Sequence, residues 1–125
     1  MKTLLKNAKM VELLHQLEPF LTRRDQIGYV AARNYRILTD CLTEYTKFRN
    51  DLIGKYGEPD LDEKGKALST ISIKIGSPNF ERFCDEMQPL NNIEHEVEVM
   101  TARYKDVIGE LSGKEILSID WMLED

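Results

Sequence analysis

No apolar run in the chain approaches the roughly 20 residues that a membrane-crossing helix needs, so an α-helical span is excluded. Only two cysteines occur among 125 residues, Cys41 and Cys84. Both fall at apolar positions of helical patterns, so they read as reduced core residues and not as a disulfide framework. Proline is sparse too, with four residues and none between Gly28 and Gly57. Signatures of chemistry are missing as well. There is no H-E-x-x-H or C-x-x-C, no glycine-rich phosphate loop and no G-x-S-x-G elbow. His15 and His95 lack an orienting group at a defined spacing and read as ordinary residues. Asp60, Asp62 and Gly65 start like a calcium loop, but Lys64 and Ile71 occupy positions where ligands are required. The segment MKTLLKNAK lacks the apolar core and cleavage site of a signal peptide. These absences lead to an expectation of no catalytic site, no cofactor, no metal and no membrane. The expected location is the cytoplasm.

Charge is plentiful, at 31% of residues, and it is unevenly placed. Residues 1–56 carry ten Lys/Arg against six Asp/Glu, whereas residues 57–125 carry seven against sixteen. The simplest reading is mutual attraction of the two halves, within one chain or across a dimer. A basic nucleic-acid surface on the first half is disfavoured because its charges alternate in sign and form no dense cluster.

The strongest pattern lies between Gly28 and Gly57. Two ladders of seven-residue spacing, Ala31–Leu38–Tyr45–Leu52 and Tyr35–Leu42–Arg49–Tyr56, share one face of a helix. Asn34, Cys41 and Phe48 widen that stripe. The opposite face alternates charges one turn apart, Arg36 with Asp40, Lys47 with Asp51 and Asp51 with Lys55. The spacing predicts one long helix of roughly 44 Å, longer than the diameter of about 36 Å expected of a compact domain this size. An apolar end that overhangs is covered most simply by a second copy, so a homodimer is expected. Arg49 interrupts the apolar ladder. A charge facing a core requires a partner, so two readings stand: a pair with a carboxylate among Glu86, Glu94, Glu96 and Glu98, or an exposed stem lying on Tyr45 or Phe48.

Around this helix the remaining elements follow. A first helix capped by Asn7, with Met10, Val11, Leu14, Leu17 and Leu21 apolar, ends near Pro19 and folds back as a hairpin with the long one. The run Ser69–Ile75 alternates like a half-buried strand. Ser77-Pro78 starts a helix with Phe80, Phe83, Cys84, Met87 and Leu90 apolar, ended by Pro89 and the Asn91-Asn92 pair. Residues 94–104 read as a second strand antiparallel to the first, with a helix as the alternative. Ser112 with Glu115 forms a capping box for a terminal helix bearing Ile116, Ile119, Trp121, Met122 and Leu123. The expected fold is α+β, mostly α: a long helical hairpin packed with a small antiparallel two-stranded sheet and two shorter helices. It forms a single domain over 1–125, with the hairpin in 1–57 and strand–helix–strand–helix in 58–125.

Several stretches carry a resemblance. RNYRIL (Arg33–Leu38), EYTKFRNDLIGKYGEPD (Glu44–Asp60), the F-x-x-F-x-x-E stretch Phe80–Glu86, EHEVEV (Glu94–Val99) and LSGKEILSIDWMLE (Leu111–Glu124) occur in this order. In that order the chain resembles a family of short uncharacterised proteins encoded in phages and prophages of bacteria. The resemblance implies an accessory protein acting by assembly or protein–protein interaction, beside tail or lysis modules, with no catalytic residues to carry over. The residues assigned to structure or interaction are Arg33, Asn34, Arg36, Tyr45, Arg49 and Trp121. The alternative is a small regulatory module that binds nucleic acid or a host protein. Salt-sensitive retention on DNA would mark that alternative; a neighbouring tail or holin gene would mark the first reading.

Overall fold

The computed structural model describes residues 1–125. Strand β1 (Lys2–Lys6) leads directly into helix α1 (Asn7–Leu17), a 3₁₀ turn (Glu18–Phe20) and α2 (Gln26–Cys41). Then come α3 (Thr43–Tyr56), β2 (Glu58–Leu61), β3 (Ala67–Ser72) and α4 (Pro78–Asn91). The chain finishes with β4 (Glu94–Glu98), β5 (Ala102–Arg103), α5 (Tyr104–Val107), α6 (Gly113–Ser118), a second 3₁₀ turn (Asp120–Met122) and β6 (Leu123–Glu124). The fold is α+β and mostly α, as the periodicities predict. No helix is long and apolar enough to cross a membrane.

The long helix expected over Gly28–Gly57 is two helices. Leu42 leaves the helical conformation at φ −91°, ψ 4°, and its N–H is shared between the carbonyls of Leu38 (3.0 Å) and Thr39 (3.1 Å). Just upstream, the Thr39 hydroxyl donates to the Tyr35 carbonyl at 2.7 Å, a back-bond that bends helices. Period counting sees only the ladder and misses this local competition. The overhanging helix that motivated a homodimer therefore loses its premise.

The break matters for organisation as well. Two compact units meet in the chain after residue 42: Met1–Leu42 with Glu94–Asp125, and Thr43–Ile93. The first unit holds nearly all the core. Met10, Leu13 and Leu17 of α1 are buried, as are Ile27, Val30, Ala31 and Leu38 of α2, with Val97, Val107, Ile119 and Met122 from the C-terminal part. Leu13 replaces the expected Leu14 on the buried face, and Leu21 is exposed. The cap of α1 is Lys6, with Asn7 buried as the first helical residue. β1 pairs antiparallel with β4, Thr3 opposite Val97 and Leu5 opposite His95. Lys2 meets Glu96 at 3.6 Å and the terminal ammonium meets Glu98 at 3.1 Å. Attraction between the basic first half and the acidic second half is thus realised within this unit.

At the start of α2, the Asp25 side chain accepts from the Gly28 N–H at 3.1 Å while the Arg23 guanidinium clasps the same carboxylate. Ser112 and Glu115 complete the predicted capping box reciprocally, at 3.1 and 3.0 Å. The strand pairing expected between Ser69–Ile75 and residues 94–104 does not form. β4 finds its partner at the N-terminus, and β3 instead pairs antiparallel with β2, a strand hidden in sequence behind Pro59 and a polar run. In the turn between them, Asp62 accepts from the Lys64 and Lys66 N–H groups at 2.9 Å, and Gly65 takes φ +77°. Pro89 lies inside the last turn of α4 and does not end it; the helix runs to Asn91. Cys84 is exposed and Cys41 half-buried, so neither is a fully buried core residue.

Candidate functional site

The second unit is built unlike the first. A single apolar side chain, Met87, is buried there, at 4% exposure. Leu61, Leu68, Ile71 and Ile75 stand out from the hairpin and its exit, with Ile75 at 86% exposure, and Phe48 on α3 is 53% exposed. All six residues of β3 are exposed.

Between these elements lies an open groove of about 290 Å³, lined by Arg49, Ile53, Ile71, Ser72, Ile73, Phe80 and Phe83. Each element supplies its share through its own periodicity. α3 presents Arg49 and Ile53 one turn apart, α4 presents Phe80 and Phe83 at the i, i+3 spacing, and the end of β3 supplies Ile71 and Ser72, with Ile73 just beyond it. Gly57 makes the juncture possible. A Cβ there would meet the Ile53 carbonyl oxygen and Ile71 Cγ2, each at 2.4 Å, so only glycine lets the hairpin leave α3 this closely. Ser77 caps α4, accepting from the Phe80 N–H at 3.2 Å while its hydroxyl donates to the Lys74 carbonyl at 2.7 Å. These two hydrogen bonds fix the start of α4, and with it Phe80, at the groove.

The polar surroundings hold the walls. Ser72 donates to Asp60 at 3.0 Å, and hydrogen bonds from Thr70 and Ser72 keep the Asp60 carboxyl below its ordinary range. Lys74 reaches Glu58 at 3.9 Å. Lys55 lies 5.0 Å from the Tyr56 ring centre and 3.7 Å from Glu86; its side-chain bond to Tyr56, then the Glu86 charge, push its pKa up. Tyr45 donates to Asn91 Oδ1 at 2.5 Å, tying α3 to α4, and burial pushes its hydroxyl pKa up.

The six residues assigned from sequence are divided between the two units. Arg33, Asn34, Arg36 and Trp121 belong to the first unit, Tyr45 and Arg49 to the second. Arg33 and Arg36 are exposed, Asn34 is fully buried, and Trp121 is half-buried with its indole N–H enclosed and without a hydrogen-bond partner. Of the two readings of Arg49, the buried ion pair does not form: the residue is exposed and engages no carboxylate, and Glu86, one of the expected partners, pairs with Lys55. The α3 face carrying it is only half covered, so the guanidinium stays in water. Ile71 and Ile73 read in the sequence as the apolar side of a half-buried strand and Phe80 and Phe83 as a helix stripe, because periodicity reports a shared face without saying what covers it. No group of three His, Cys, Asp or Glu side chains in the structure could hold a metal ion.

No protein-family model matches the chain, and neither a curated protein nor a solved structure matches it.

Proposed function

We propose that this is a non-enzymatic accessory protein, of phage or prophage type, that acts by binding a protein partner. The observation that carries the reading is the imbalance inside the second unit, where one apolar residue is buried, six large ones stand exposed, and one of these, Ile71, lines an open apolar groove. Contiguous exposed apolar surface rimmed by polar groups marks interaction sites in folded proteins. A site for chemistry would call for convergent polar groups with strongly perturbed protonation in a concave pocket; the groove offers one guanidinium and one hydroxyl. The phage or prophage assignment is supported by the resemblance of the segments from Arg33 to Glu124, and the partner is then another phage component or a host protein.

Co-expression with the products of neighbouring genes tests this, read by size-exclusion chromatography with light scattering. A stoichiometric complex with one of them is expected, lost on Ile71→Asp combined with Ile75→Asp while circular dichroism stays unchanged. A complex unaffected by that double substitution would overturn the use of this surface, and the absence of any complex would overturn the reading.

A further inference from the structure

We draw no further inference here: the strongest candidate, the open apolar groove between α3, α4 and the end of β3, belongs to the site already described, and nothing in the structure shows what covers it.

Discussion

Asn34 and Met100 are joined by two hydrogen bonds, the Asn34 amide donating to the Met100 carbonyl at 2.8 Å and accepting from its N–H at 2.7 Å. The side chain thus imitates a neighbouring strand for the peptide that follows β4, and it does so from a fully buried position on α2. Removing it leaves a donor and an acceptor of the backbone without partners, each costing about 1–3 kcal/mol where water is excluded. Asn34→Ala should therefore cost about 2–4 kcal/mol in urea unfolding with an unchanged slope on denaturant. A loss below about 0.5 kcal/mol, as at an ordinary surface site, would show that the clamp is idle.

Two glycines in helices should answer the same substitution with opposite signs. A Cβ on Gly28 would lie 2.1 Å from the Arg23 carbonyl oxygen, which the Arg23–Asp25 pair holds in place. Gly54 is exposed near the end of α3, with nothing within 4 Å of its would-be Cβ. Gly28→Ala should destabilise by about 2 kcal/mol or more through backbone displacement, while Gly54→Ala should stabilise by about 0.5–1 kcal/mol through helix propensity. Thermal unfolding of the two variants decides it, and equal effects would contradict the close approach at Gly28.

Acid should loosen the fold in a defined window. Hydrogen bonds from the Arg23 side chain and then the Gly28 N–H hold the Asp25 carboxyl below its ordinary value of 3.8. The Ser112 backbone and hydroxyl hold Glu115 below 4.5. A carboxyl with a lower pKa folded than unfolded contributes fully above the unfolded value and loses its contribution as pH falls through the folded one. Denaturation midpoints should be flat from neutrality to about pH 5 and fall below about pH 4. Asp25→Asn should flatten part of that decline, and salt should weaken it at these exposed sites. A midpoint that rises on acidification would exclude this account.

Much of the local structure was legible in the sequence. The Ser77 and Ser112 caps, the starts of α4 and α6, and the α1–α2 hairpin all follow from residue spacing or from chemistry within one turn. The pairing of β1 with β4 was not, because Lys2–Lys6 is short and its partner strand, Glu94–Glu98, lies at the other end of the sequence. The break at Leu42 was hidden because the ladder Tyr35–Leu42–Arg49 continues through it unchanged in period. The ladder marks Arg49 as out of place in an apolar stripe, but a half-covered helix and a buried one share the same pattern, so spacing alone leaves its surroundings, and the groove, undetermined.

The two units should differ in how readily they open. In the first, α1 and α2 bury Met10, Leu13, Leu17, Ile27, Val30, Ala31 and Leu38, so exposing their amides means dismantling the core. In the second, β3 is exposed throughout, α3 buries no residue fully, and a two-stranded hairpin is marginal by itself. Segments with few buried contacts open at free energies well below the global value. Amides of residues 43–93 should then exchange at least tenfold faster than those of α1 and α2 in native-state hydrogen exchange. Binding should reverse this locally: a ligand that recognises only the closed unit stabilises it by mass action, by about 2.7 kcal/mol at a concentration a hundredfold over its Kd. With a groove-binding peptide present, β3 and α3 should slow by roughly that factor while α1 is unchanged. Protection of β3 equal to that of α1 in the free protein would mean that the second unit is stable without a partner and that its exposed apolar surface serves another purpose.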